Sequence, residues 1–149
     1  MVALVDFLIS LMLLLALMAW YRVVPDVRVL ALPLFTLLAF LAAAGPGIWF
    51  AAINLKYRDF RFIVPFVVQL GLYISPVGFS SAIVPEQWRL LYSLNPMVGV
   101  IDGFRWCLLG ADVNLDPIGI GISAGLSLIL LYLGLRRFRN TERFFADIV

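Results

Sequence analysis

Charge along this chain is confined to a few narrow bands, and four long apolar stretches run between them. The first, "ALVDFLISLMLLLALMAWY" (3–21), has Asp6 near its start as its only charge and closes on Trp20 and Tyr21. The second (29–53) carries Pro33 and the triplet Gly45-Pro46-Gly47, and the third (62–81) carries Pro65 and Pro76. The fourth, "PIGIGISAGLSLILLYLGL" (117–135), opens with alternating small residues. A hydrocarbon core about 30 Å thick takes roughly 20 helical residues at 1.5 Å each, so each stretch predicts a membrane-crossing helix. Trp20 and Tyr21 suit the aromatic belt at an interface. The Gly-Pro-Gly triplet predicts a kink that neighbouring helices accommodate. The Gly- and Ser-rich half of the fourth stretch allows another helix to approach closely.

The segment between the third and fourth stretches has a different pattern. Its longest uncharged run, Leu90 to Ile101, is too short to cross and reads as interfacial or re-entrant. Pro85 followed by Glu86 is a helix start, with an acid in the first turn. "SLNP" ends that helix and begins another, with Asn95 as N-cap and Pro96 at the first helical position. The second helix is expected to run to about Leu109 and stop at Gly110. Trp88 and Trp106 mark headgroup depth. Asp102 and Arg105, three apart, can pair on one helix face. The expected fold class is an all-α integral membrane protein: four transmembrane helices plus a pair of short re-entrant or interfacial helices (85–109) before the last span, then a tail (136–149).

Composition supports this reading. Of 149 residues, 64% are hydrophobic and 13% charged, about half the charge that a soluble domain carries. There is no His and Cys107 is the only cysteine, so an internal disulfide, a Cys/His zinc site and a histidine general base are excluded. The net charge of +2 does not point to nucleic acid, because the basic residues cluster between apolar runs, where they set topology. "NLKYRDFR" holds Lys56, Arg58 and Arg61, and the tail holds Arg136, Arg137, Arg139 and Arg143. The other side holds Arg22, Arg28, Arg89 and Arg105 among five carboxylates. This bias predicts both termini and "NLKYRDFR" in the cytoplasm, with the short helix pair facing outward. The first stretch lacks a basic start and a small-x-small cleavage site, so it reads as a span rather than a signal peptide.

"NLKYRDFRFIVPFVVQLGLYISPV", then "VPEQWRLLYSLNPMVGVIDGFRWCLLG", then "RRFRNTERFFADIV" resembles the permease subunit of type 2 ATP-binding-cassette exporters. The resemblance is to the branch that exports lipid-linked polysaccharide (O-antigen, capsule, teichoic acid). It rests on the order of features: a YRD turn, a proline-bearing span, LNP, a GFRW helix, a last span and an Arg-rich tail with TER. It extends over nearly all of the chain. Family members carry two further spans, an amphipathic helix and a first cytoplasmic loop ahead of the segment matching "ALVDFL". The resemblance therefore implies a chain that starts at the family's third span, truncated or incompletely delimited.

Further expectations come from the resemblance. It implies a multi-pass protein of the bacterial inner membrane that does no bond chemistry and binds no cofactor itself. ATP would be hydrolysed by a separate ATPase subunit, and this sequence has no Gly-rich phosphate loop. A second permease copy would complete a homodimer, with membrane lipid and a lipid-linked glycan as further partners. Two other readings stay open: a type 2 permease for a drug or another lipid, and a membrane remnant that does not transport.

Each candidate residue has a plain reading beside the functional one. Tyr57, Arg58 and Asp59 form either a solvated turn or a coupling element that touches the ATPase. Asn95, Pro96, Asp102, Arg105 and Trp106 belong either to an interfacial pair packed on the bundle or, as the resemblance implies, to an outward gate over the translocation path. Phe66 and Tyr73, seven apart on one helix face, are either packing residues or channel lining that stacks against sugars. Asp6 at a span end needs no proton-relay role.

Overall fold

A computed structural model describes residues 2–22, 26–57, 59–110 and 115–146. All regular elements among them are helical. In chain order they are α1 (Val2–Trp20), α2 (Leu32–Lys56), α3 (Phe60–Ile74), α4 (Glu86–Tyr92), α5 (Pro96–Leu109) and α6 (Pro117–Ala146), with 3-10 turns at Val27–Ala31 and Ser81–Ile83.

Two of the expected boundaries move at prolines, and the helix of the last stretch runs on to Ala146, into the expected tail. Pro33 does not lie inside the second helix. It stands in the first turn of α2, where its missing N–H costs nothing, and the residues before it wind as a 3-10 turn. Pro76 ends α3 early. Ser75, the residue before it, is driven to extended backbone (φ −83°, ψ 150°), so the helix stops at Ile74 although the apolar run continues. At 15 residues α3 is about 22 Å long, short of a full hydrocarbon thickness. The helices over 27–55 and 117–141 are long and apolar enough to cross a membrane, whereas the described apolar parts of α1 and α3 are shorter. Pro46 lies inside α2 without ending it.

The centre of the fold is the pair α2 and α6. A Cβ placed on Gly45 would stand 2.6 Å from the Leu131 backbone nitrogen, and one on Gly134 would stand 2.5 Å from the Gly45 carbonyl oxygen and 3.5 Å from the Trp49 nitrogen. The two backbones touch where only glycine fits. Gly45 lies opposite Leu130 and Leu131, and Trp49 approaches Gly134, so the helices run in the same direction. Their C-terminal ends therefore share one end of the molecule. The described residues of the "NLKYRDFR" turn after α2 lie at the same end as Arg136 and Arg137, which are two and three residues beyond Gly134 on α6. Sequence patterning put these two basic bands on one side of a membrane, and the packing brings them to one end of the protein.

The other end is built around α5. Gly103 receives the ring of Phe35 from the first turn of α2, and Gly99 abuts the side chain of Ser123 on α6. Ser123 and Ser127 are fully buried. Ser127 Oγ donates to the Ser123 carbonyl (2.7 Å), and Ser123 Oγ donates across to the Ser93 carbonyl at the end of α4 (3.3 Å). The small-residue half of α6 thus packs closely, as its composition predicts. Phe7 of α1 meets Phe104 of α5 edge-on, with centroids 6.1 Å apart. Elsewhere α1 is almost wholly exposed, and α3 buries none of its residues. Exposed apolar faces of that extent mark contact with lipid or protein.

Candidate functional site

The helix break at Asn95-Pro96 forms as its sequence predicts. Asn95 sits in extended backbone (φ −81°, ψ 112°) and its Oδ1 accepts from the Met97 N–H at 3.0 Å, with Pro96 at the first helical position. The rest of the same side chain reaches out of the α4–α5 pair: Asn95 Nδ2 donates to Ser75 Oγ at 2.9 Å. Ser75 and Pro76 are buried there, at the point where α3 ends.

Two further side chains hold the same turn. Tyr92 at the end of α4 donates its hydroxyl to the Ile74 carbonyl at 2.9 Å. That carbonyl is in the last turn of α3 and has no partner within the helix. Arg105 of α5 donates through Nη2 to the Val77 carbonyl at 3.2 Å. Tyr92, Asn95 and Arg105 therefore clamp three successive points, Ile74, Ser75 and Val77, of the chain leaving α3. Each joins groups 18 to 28 positions apart in sequence.

The electrostatics of the clamp favour its hydrogen bonds. Asp102 and Arg105 do come together, with Oδ1 and Nη1 3.8 Å apart and each side chain about one-fifth exposed. At that distance the link is charge attraction rather than a hydrogen bond, and Nη1 is buried without a protein hydrogen-bond partner. Burial, and after it the Asp102 carboxylate, push the Tyr92 hydroxyl above its ordinary pKa against the opposing pull of Arg105. Tyr92 therefore remains a protonated donor. Its ring also lies against Phe79, with centroids 6.3 Å apart.

Trp106 faces the other way. The Arg28 guanidinium stands over its ring at 5.1 Å, and Arg28 in turn lies 3.5 Å from Asp26. Asp26 caps the 3-10 turn through its Oδ1 and the Val27 N–H (2.7 Å). One face of α5 thus holds the end of α3, while Trp106 holds the approach to α2.

The basic turn is more open. Tyr57 follows α2 in extended backbone and is exposed, and Asp59, also exposed, precedes α3. Arg58 lies outside the described residues. Asn54 Oδ1 is buried without a protein partner beside a hollow of about 570 Å³ lined by Asn54, Asp59, Arg61 and Phe62. Phe66 and Tyr73 project from α3 at 62% and 71% exposure, on the face opposite the half-buried stripe Phe60, Val64 and Gly71. The structure does not bring them to the α4–α5 clamp.

Sequence reading missed Ser75, Val77 and Tyr92 as parts of this site. The Ser-Pro pair at 75–76 and a tyrosine just before the LNP break were the available signals. Arg28 was read only as a topology charge, and Asp26 only as one of the five carboxylates on its side.

The model of the ABC-2 type transporter family matches residues 2–109. Two proteins from Klebsiella pneumoniae named O-antigen export system permease protein RfbA are similar to the chain. One is 27% identical over 87% of this chain and 49% of its own length, the other 29% identical over 70% and 40%. A protein of the same name from Myxococcus xanthus is 28% identical over 97% of this chain and 56% of its own. The chain spans about half the length of these curated relatives. No solved structure matches it. The family match covers the α1–α5 region, including the LNP break and the whole clamp on the end of α3, and the chain belongs to the ABC-2 type transporter family.

Proposed function

We propose that this chain is the membrane-embedded permease part of an ATP-driven exporter that moves lipid-linked polysaccharide, O-antigen or a related glycan, across the bacterial inner membrane. The observation that carries this reading is its similarity to the O-antigen export permeases over most of its length. The chain crosses the membrane four times, with α4 and α5 as an outward-facing re-entrant pair and both termini in the cytoplasm. Grouping of the basic turn with Arg136 and Arg137 at one end supports that orientation. An ATPase subunit docks on this end, with Tyr57, Arg58 and Asp59 as contacts, and supplies the energy of ATP hydrolysis. A second copy of the permease faces the first, and the glycan passes between them along Phe66 and Tyr73.

In this reading the clamp is the gate. Asn95 and Pro96 set the break, Trp106 fixes α5 against the start of α2, and Arg105, with Asp102 beside it, ties α5 to the end of α3. Movement of α3 at its basic end, where the ATPase docks, is transmitted along the helix to the clamp at the other end. Arg105→Ala in the full-length protein is expected to abolish export of surface polysaccharide while insertion and abundance in the inner membrane stay unchanged. The measurement is cell-surface glycan on gels beside an immunoblot of the membrane fraction. Normal surface glycan from that variant would overturn the gate, and normal surface glycan after deletion of the gene would overturn the export reading.

A further inference from the structure

The contact between α2 and α6 opens, toward the basic end, into a groove of about 560 Å³. Its walls are apolar: Trp49 and Phe50 from α2, Leu130 and Leu133 from α6, with the Gly45–Gly134 contact as floor. Its basic end is lined by Arg136, Arg137 and Asn140, and none of the described residues that line it is a carboxylate. Neither arginine pairs with a carboxylate among the described residues. An apolar cleft that ends in two exposed cations and an amide has the polarity of one particular kind of ligand, a molecule with a hydrocarbon chain and an anionic head.

Depth along α6 agrees with this. From Pro117, where α6 starts, to Arg136 the rise is about 28 Å at 1.5 Å per residue, close to the thickness of a hydrocarbon core of about 30 Å. With the start of α6 at one interface, Arg136 and Arg137 reach headgroup level at the other. Leu130, Leu133 and Trp49 lie below them at acyl-chain depth. Arginine is suited to the head, because its planar fork binds phosphate oxygens in pairs and its stem stays against apolar surface.

We propose that this groove binds one anionic phospholipid of the leaflet at the basic end. An acyl chain lies against Trp49, Leu130 and Leu133, and the phosphate sits between Arg136 and Arg137 with Asn140 as a further donor. The lipid fills a space that the close glycine contact leaves beside it, so it acts as part of the α2–α6 interface. The inference rests on the membrane placement of α2 and α6 and not on the exported cargo.

Trp49 is the reporter for the test. In a Trp20→Phe, Trp88→Phe, Trp106→Phe background, the chain is reconstituted in phosphatidylcholine nanodiscs that contain brominated phosphatidylglycerol or brominated phosphatidylcholine. Brominated acyl chains quench indole fluorescence at contact. Half-maximal quenching is expected at a mole fraction of brominated phosphatidylglycerol about tenfold or more below that of brominated phosphatidylcholine, in line with about fivefold per arginine. Arg136→Gln with Arg137→Gln brings the two lipids to within about twofold, and Arg136→Lys with Arg137→Lys retains part of the difference. These positions are exposed, so the helix tolerates the changes, and circular dichroism checks that it does. Equal quenching by the two lipids in the parent, or a difference that survives the double Gln variant, would overturn the proposal. Quenching by neither lipid would overturn it too, because protein then fills the groove. None of these results bears on surface glycan, so failure here leaves the export reading standing.

Discussion

Asn95 shows at the scale of one side chain how a local signal acquires a long-range role. Its carbonyl oxygen caps α5 and its amide nitrogen holds Ser75, so one residue both breaks the α4–α5 pair and fastens it to α3. Removing it costs two interactions of different kinds. Asn95→Ala is expected to destabilise the protein by about 1–2 kcal/mol through the lost cap, plus about 1 kcal/mol for the cross-contact. Ser75→Ala should cost only the second amount. A double-mutant cycle, read by thermal unfolding in detergent, separates the two: a coupling near 1 kcal/mol between positions 75 and 95 is expected, and strict additivity would show that the Asn95–Ser75 contact contributes nothing. The cap was legible in the sequence because Asn-Pro before an apolar run is a local pattern. The contact with Ser75 was not legible, because it depends on where α3 ends and how α4 turns back across it. The same holds for Tyr92 and Ile74 and for Arg105 and Val77. Of the clamp, the sequence showed the residues of the break and the Asp102–Arg105 spacing, and tertiary placement decided the rest.

At the scale of elements, glycine and proline were the strongest sequence signals and the easiest to assign the wrong task. The Gly-Pro-Gly triplet of α2 reads as a kink; Pro46 lies inside the helix, and Gly45 has a further task, the close contact with α6. No single-helix pattern reveals that, since the reason for a small residue is the backbone of its partner. The triplet contains its own control, because a Cβ on Gly47 would meet nothing within 4 Å. Gly45→Ala is expected to force α2 and α6 apart at a cost of about 1–3 kcal/mol, the usual range for overpacking. Gly47→Ala should be neutral or slightly stabilising, since alanine favours the helix over glycine. Melting temperatures of the two variants in one detergent decide the matter, and equal effects would mean that the contact does not limit packing. Helix ends were legible where a proline follows or opens them, but Pro33 and Pro76 had to be read as boundaries rather than as interruptions.

At the scale of the whole molecule, most of the described apolar surface of α1 and α3 has no protein partner among the described residues. That the chain is all-helical and apolar was plain from its banded charge. What covers these two helices was not, because lipid and a second permease copy select for the same residue types. The exposed faces of α3 are the place to separate them. Phe60, Val64 and Gly71 form its half-buried stripe, Val68 lies near that stripe and is exposed, and Phe66 and Tyr73 point the opposite way. If the Phe66–Tyr73 face lines a watery path between two copies, cysteines placed there ionise and react, whereas a thiol held in hydrocarbon does not. Phe66→Cys and Tyr73→Cys in membranes are expected to label with a water-soluble maleimide at least about ten times faster than Val68→Cys, since the reagent needs the thiolate. The native Cys107 is fully buried and sets the background. Equally slow labelling at all three positions would place the Phe66–Tyr73 face against lipid or packed protein and remove both residues from the translocation path. Fast labelling that is lost when the two copies are cross-linked shut would place the path at the interface between copies, where neither copy alone can enclose it.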